Sequence, residues 1–465
     1  MKRPNILLLT TDQQRFDALG AAGNDEIHTP NLDALAAGGA RFTRHFVQNP
    51  VCMPSRVSFL TGQYPSTLGI THMAVPVPAE AITLPRLLRH YGYTSANIGK
   101  LHFLPHANRD HRDIHPDYGF DHLEISDEPG CYEDAYRAWV RRQAPDQMDN
   151  LSAGLPPATE AWQRTMRIDD GIHHPPQRHE NTPRVFAGPP HLTHTAFVAD
   201  QTMEFIANHT GGPWMCVAGF YSPHAPWIAP GEFMDLYDPA RLSVPAFPEE
   251  VDARRKPGHF DDEELRAVKR GYYAMVSEVD HHVGRILTRL EELGVADETI
   301  VVFWSDHGEW LGDHLRYGKG YPAHDCVARV PLILRYGGVA PAGTTVDGIV
   351  ESVDVIPTLL DYCAIPIPCH LQGRSLRGLI EGTENEGRRS ALTELTGIRI
   401  LRTERNRYIA HADGREELYD LEADFGEYHD LAGDPAFAAT LAGARAELIR
   451  HMLEIQRPTP RAWCY

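Results

Sequence analysis

Four short apolar segments, residues 5–9, 94–98, 214–220 and 299–304, each run straight into residues that carry chemistry. The first leads to Thr11-Asp12-Gln13, the second to Gly99-Lys100-Leu101-His102, the third to Ser222-Pro223-His224 and the fourth to Ser305-Asp306-His307. Uninterrupted apolar runs of this length suit strands buried on both faces, as in largely parallel sheets covered by helices. Ligands of such sheets bind beyond the carboxyl ends of the strands. The four endings are therefore expected on one rim. Helical periodicity at residues 31–37, 84–91, 197–207 and 268–293 supplies the covering layers, the last of them stopping at a capping Gly294. The expected fold is α/β, a large mixed, mostly parallel sheet sandwiched by helices.

After about residue 370 the pattern changes. Residues 398–402 and 408–411 alternate apolar with polar, Asp413-Gly414 reads as a hairpin turn, and a closing helix is expected near 437–453. Two domains are expected: a larger one over 1–370, and a smaller C-terminal α+β domain over 371–465 built on an antiparallel sheet. The irregular tail QRPTPRAWCY reads as an arm against a neighbouring subunit, which implies a homo-oligomer. Residues 105–195, rich in His, Pro, Asp and Arg, read as long loops over the rim, where substrate is selected.

Formal net charge is −19 over 465 residues, which argues against nucleic acid or an anionic membrane surface as a partner. No segment approaches the roughly 18 apolar residues of a spanning helix. The short apolar stretch after Lys2-Arg3 is too brief for a secretory signal, so the expected location is cytoplasmic. Seven scattered cysteines with no C-x-x-C pair suggest neither a disulfide framework nor a zinc ribbon.

One of those cysteines lies in PVCMPSRVSFLTGQ, residues 50–63. Pro54 suits a first helical turn, and Val57, Phe59 and Leu60 begin a buried face. Cys52 is thereby placed at or just before a helix N-terminus, where partial positive charge gathers and anions bind. Asp12 with Gln13, and Asp306 with His307, offer oxygen and nitrogen ligands for one divalent cation. Arg56, Lys100 and Lys319 are cations near the same rim, and His102 and His224 are bases. Singly, each has an ordinary reading: a buried structural cysteine, a capping aspartate, a solvated lysine, a loop histidine. Together they are what a tetrahedral oxyanion needs.

The same residues sit in blocks that resemble the sulfatase family. Cys52-Met53-Pro54-Ser55-Arg56, continuing VSFLTG, is similar to the family's C-x-P-x-R signature. Thr29-Pro30-Asn31-Leu32-Asp33 with LAAGGARF, Gly99-Lys100-Leu101-His102, Tyr118-Gly119-Phe120-Asp121, SPHAPW, SDHGEWLGDH, ARVPLIL and ELYDLEADFGEYHDLA match further blocks in order over nearly the whole chain. The resemblance implies an alkaline-phosphatase-like fold and a sulfuric ester hydrolase, arylsulfatase-like, whose cysteine a maturation enzyme converts to formylglycine (3-oxoalanine). It implies modified Cys52 as nucleophile, and Asp12, Gln13, Asp306 and His307, with Cys52, as metal ligands. Arg56, Lys100, His102, His224 and Lys319 would hold the sulfate or move protons. Thr11-Asp12 stands where many members have Asp-Asp, and Asp306-His307 where many have Asp-Asn. An imidazole in place of an oxygen ligand moves the expected ion from Ca2+ towards Mn2+. That resembles the choline-sulfatase and phosphonate monoester hydrolase branches, whereas Lys100 and His102 resemble true sulfatases.

The implied chemistry explains the residue types. A thiolate attacking sulfur would leave an ester with no easy exit, whereas an aldehyde hydrate attacks with one hydroxyl and ejects sulfate when the second loses its proton. The cation would polarise the attacking oxygen, and Arg56 would hold the hydrate. Lys100 and Lys319 would neutralise the non-bridging oxygens, and His224 or His102 would protonate the leaving alkoxide. Inorganic sulfate and an alcohol or phenol would leave from a small-molecule sulfate ester. Two rivals stay open: a phosphonate monoester hydrolase or phosphodiesterase using the same site, and a non-catalytic anion-binding protein whose Cys52 is not converted. A P-loop is excluded because Gly318-Lys319 precedes Gly320, not Ser or Thr, and no G-x-S-x-G occurs.

Overall fold

In the computed structural model, which describes residues 3–111, 113–175, 181–209 and 211–456, the four apolar runs lie side by side. The strands in chain order are β1 (Asn5–Thr11), β2 (Ala40–Phe46), β3 (Thr94–Gly99), β4 (His122–Ile125), β5 (Arg184–Val185), β6 (Trp214–Gly219) and β7 (Ile228–Ala229). They continue with β8 (Thr299–Ser305), β9 (Leu332–Tyr336), β10 (Thr344–Glu351), β11 (Ser390–Leu395), β12 (Ile398–Thr403), β13 (Asn406–His411) and β14 (Glu416–Asp420). Eight of them form the main sheet in the order β10-β2-β9-β8-β1-β6-β3-β4, while β5 and β7 make a separate ribbon. Its centre, β8-β1-β6-β3, is the four apolar runs, every neighbouring pair parallel. Only β9 runs antiparallel to its neighbours β8 and β2. The expected mixed, mostly parallel sheet is therefore present.

The register sets the rim. Thr11 pairs with Ser305, Thr10 with Gly219 and Gly219 with Gly99, so Asp12, Lys100, Phe220 and Asp306 leave the sheet at one level. Ile6 to Leu9 of β1 are all apolar because alternate residues enter cores on opposite faces of the sheet. Ile6 and Leu8 enter one core with Val57 and Phe59 of the helix Cys52–Thr61 and Leu359 of the helix Val355–Tyr362. Leu7 and Leu9 enter another, with Phe197 of the helix His194–Asn208 and Val283 of the helix Asp262–Glu292. Both faces are covered.

The expected smaller sheet is also present: β11 to β14 are antiparallel in sequence order. Gly414, at φ +89, makes the turn between β13 and β14, a conformation open to glycine. The helix Ala438–Glu454 buries Leu441, Ala444 and Leu448 against Leu392, Leu401 and Leu418 of this sheet. The tail read as an intersubunit arm lies, from residue 457 on, outside the described residues.

Residues 105–195 depart from the loop expectation. They contain β4 and the helices Ala135–Gln143 and Pro157–Met166. Asp134 caps the first of these helices, accepting from the Arg137 N–H at 3.0 Å. Tyr136, Trp139 and Val140 bury a narrow stripe. Three arginines in AYRAWVRRQ mask that stripe in the sequence. Among the described residues, no helix is long and apolar enough to cross a membrane.

Candidate active site

Cys52 is the first residue of the helix Cys52–Thr61, and its side chain is 1 % exposed. Its Sγ marks the position that an aldehyde oxygen would take after conversion. Sγ lies 3.7 Å from Asp12 Oδ1 and 3.2 Å from His307 Nε2. Among the described residues, the ligand atoms of Asp12, Cys52, Asp306 and His307 all fall within 4.8 Å of one another. The expected convergence of position 52 with the strand-end carboxylates is thus observed. His307 Nδ1 sits 2.8 Å from the Gly308 carbonyl, which assigns its proton there and leaves the Nε2 lone pair facing inward. Burial keeps this imidazole below its ordinary pKa despite Asp306. A lone pair and two carboxylates aimed at one point repel unless a cation lies between them. The donor set fits a divalent ion of mixed oxygen and nitrogen preference.

Gln13 is tied to that set through Asp306. Its backbone is left-handed (φ +71), its N–H donates to Asp306 Oδ1 at 3.0 Å, and its carbonyl accepts from the Tyr272 hydroxyl at 2.8 Å. Gln13 Oε1 is buried without a hydrogen-bond partner. Such a residue stays strained only where its surroundings over-determine it.

Cations ring the carboxylates. Lys100 Nζ is 2.8 Å from Asp12 Oδ2 and 4.7 Å above the Tyr221 ring. It is placed by a close pinch of β3 against β6: a Cβ on Gly219 would strike the Lys100 carbonyl, and the Lys100 N–H donates to the Gly219 carbonyl at 2.7 Å. Lys319 Nζ lies 2.7 Å from Cys52 Sγ and 2.8 Å from His224 Nε2. Burial works to raise the Asp12 pKa, but Lys100 first, then His224, Lys319 and Arg56, hold it well below the usual carboxylate range. Burial, then Asp12, pushes the Cys52 thiol up to about 12 against Lys319. His224 Nδ1 lies 2.6 Å from the Ala225 carbonyl, and burial, then Lys319, keeps the ring well below its ordinary pKa. Nε2 then accepts from the Lys319 ammonium.

Arg56 joins the same cluster, with Nη2 3.6 Å from Asp12 Oδ2. Its Nε donates to Asp306 Oδ2 at 2.7 Å, its Nη1 to the Lys100 carbonyl at 3.0 Å and its Nη2 to the Thr11 carbonyl at 3.4 Å. The guanidinium ties three strand ends together. His102, at φ +54, donates its N–H to Asp127 Oδ1 at 2.8 Å, and its ring Nδ1 is buried without a hydrogen-bond partner. Burial first, with His106 and Lys100, keeps that ring well below its ordinary pKa.

Sequence reading missed Tyr221, Asp127, Tyr272 and Glu309. Asp127 also ends a strand, β4, but HLEI at the sheet edge is too polar to read as a buried run. Tyr221 directly precedes the SPHAPW block, and Glu309 lies inside SDHGEWLGDH. Both were legible as neighbours of a motif.

The family model for Sulfatase matches residues 4–365. The chain belongs to the sulfatase family. It is a hydrolase of that family. The model for the N-sulphoglucosamine sulphohydrolase C-terminal region matches residues 312–454. Among similar proteins, an arylsulfatase of Clostridium perfringens is 29 % identical, covering 97 % of this chain and 94 % of its own. A choline-sulfatase of Rhizobium meliloti is 28 % identical, covering 93 % and 83 %. Among solved structures, the phosphonate monoester hydrolase of Agrobacterium radiobacter is 28 % identical with a TM-score of 0.81, covering 98 % and 96 %.

Proposed function

We propose that this sulfatase-family hydrolase cleaves small-molecule sulfate esters with formylglycine, made from Cys52 by a maturation enzyme, as nucleophile. The observation that carries the reading is the ring of donors around Cys52 Sγ: Lys319 at 2.7 Å, with Lys100 held beside it on Asp12 at 2.8 Å. Asp12, Gln13, Asp306 and His307 would hold one divalent ion, Mn2+ by preference over Ca2+ because of the imidazole. When bound, that ion supplies Lewis-acid stabilisation of charge on oxygen. The hydrated aldehyde would supply one oxygen that displaces the alkoxide from sulfur and a second whose deprotonation would re-form the aldehyde and release sulfate.

The remaining work belongs to the side chains. Lys100 and Lys319 stay protonated and neutralise the non-bridging oxygens. His224 Nε2, which accepts from the Lys319 ammonium at 2.8 Å, would orient that ammonium toward the leaving alkoxide, whose charge it stabilises by a charge-assisted hydrogen bond as the S–O bond breaks. Arg56 keeps the two carboxylates in place. Helix Cys52–Thr61 directs its positive end at the anion.

Lys319→Ala is expected to lower kcat for an aryl sulfate by about 10²–10³-fold, the usual effect of losing one electrostatic donor. Steady-state kinetics with a parallel metal assay checks this, with Mn2+ content expected unchanged. A second reading is favoured by the fold match: phosphonate monoesters present a similar tetrahedral anion. Side-by-side kcat/KM values on an aryl sulfate and an aryl phosphonate monoester, for enzyme co-produced with its maturation enzyme, decide between them. A higher value for the sulfate is expected, and a large phosphonate preference would replace this proposal with the second reading.

A further inference from the structure

We infer that Glu309 is a positioning residue that decides which end of the Gln13 amide would face a bound divalent ion. The inference rests on the proposed ligand set. Glu309 is fully buried, and its two oxygens divide their partners. One, Oε2, accepts from Gln13 Nε2. The other, Oε1, accepts from the Leu311 N–H at 3.0 Å and from the Gly318 N–H, the residue directly before Lys319.

A glutamine amide has one donor end and one acceptor end. With its NH2 on Glu309, Gln13 must turn Oε1 the other way, and that oxygen is the buried atom with no hydrogen-bond partner. The Gln13 backbone cannot compensate, because its N–H is fixed on Asp306 and its carbonyl on Tyr272. Amide orientation is the remaining freedom, and the Glu309 carboxylate removes it by offering acceptors only. The same carboxylate holds the turn at Gly318, and Lys319 reaches Cys52 Sγ from there. That turn has a second tether, the Trp310 N–H donating to the Gly318 carbonyl at 3.0 Å. A shape-conserving change at 309 therefore tests the amide without releasing the loop.

Glu309→Gln is that change. Its oxygen can keep Leu311 and Gly318, but its new NH2 then meets the NH2 of Gln13. Two donors cannot share a bond, so Gln13 turns over, gives Oε1 to position 309 and presents an amide nitrogen, which has no free lone pair, to the cation. Titration of Mn2+ into metal-free protein, followed by calorimetry, should show affinity lowered about 10- to 100-fold, as for other groups that orient a metal ligand. The double variant Gln13→Glu/Glu309→Gln restores complementarity. Its amide at 309 donates to one oxygen of the new carboxylate at 13 while the other oxygen faces the ion, so Mn2+ affinity should recover to at least the wild-type value. Gln13→Ala separates this inference from the ligand set beneath it. If Gln13→Ala weakens Mn2+ binding but Glu309→Gln binds like wild type, or if the double variant is no tighter than Glu309→Gln, the role of Glu309 is refuted while the ligand set stands. If Gln13→Ala binds Mn2+ as wild type does, Gln13 is no ligand and both readings fall.

Discussion

Cys52→Ala is expected to cut turnover of an aryl sulfate by at least about 10⁴-fold while the fold persists, since removing a nucleophile that works as part of a unit commonly costs more than that. The side chain is small, sits at the first position of its helix and contributes packing only through one sulfur. Lys319, His307 and Asp12 all converge on its Sγ, the point that the proposed nucleophile would occupy. Initial rates beside a melting curve check the prediction. A melting temperature near wild type with turnover within tenfold of wild type would mean that another group attacks sulfur.

The largest expected stability effect lies away from the rim. Arg407 is fully buried, with Nε donating to Glu427 and Nη2 to Asp325. Asp325 also accepts from Arg402 Nε at 3.0 Å and Nη2 at 3.2 Å, and its N–H donates to Glu427 Oε1 at 2.9 Å. This network joins the small sheet, through Arg402 on β12 and Arg407 on β13, to the helix Asp325–Ala328 behind the active-site loop. Arg407→Leu leaves two buried carboxylates short of a partner and is expected to destabilise the protein by about 3–5 kcal/mol, read from urea unfolding of wild type and variant. A loss under about 1 kcal/mol would show that solvent or neighbouring arginines compensate. Burial opposes ionisation of Asp325, but Arg402 and then Arg407 hold its pKa down at about 2. A carboxyl depressed in the folded state stabilises fully above its ordinary value and progressively less as pH falls. Burial, opposed by Arg407, leaves Glu427 at about 7. The wild-type advantage over Arg407→Leu should therefore begin to shrink as pH falls through about 7 and shrink further between about pH 4 and pH 2.

What could be read from the sequence depended on where each strand sits. The central strands β8, β1 and β6 are buried on both faces and carry continuous apolar stretches, so the chemistry at their ends stood out. Strand β3, reading TSANIG, is as buried but keeps Ser95 and Asn97. β2, reading ARFTRHF, mixes buried and half-buried positions and carries charge, and β4 lies at the edge. Neither shows as a run, and Asp127 at the end of β4 was hidden with it. The position of Lys319 follows from a loop with positive φ at Leu311, His314, Leu315 and Ala323, a path that no periodicity encodes. Motif neighbourhood, not pattern, marked it. Arg56 was legible as a site residue but not in its orientation, because its partners Asp306, Thr11 and Lys100 come from three separate strand ends. The Arg407 network joins residues 82 and 20 positions apart in the chain, beyond the reach of local reading.

The most direct measurement is the intact mass of the peptide carrying residue 52, taken from enzyme purified from its native host and active on an aryl sulfate. Conversion to the aldehyde exchanges sulfur for oxygen and removes two hydrogens, and the account predicts that mass in proportion to specific activity. Full activity with an unmodified thiol at position 52 would contradict it.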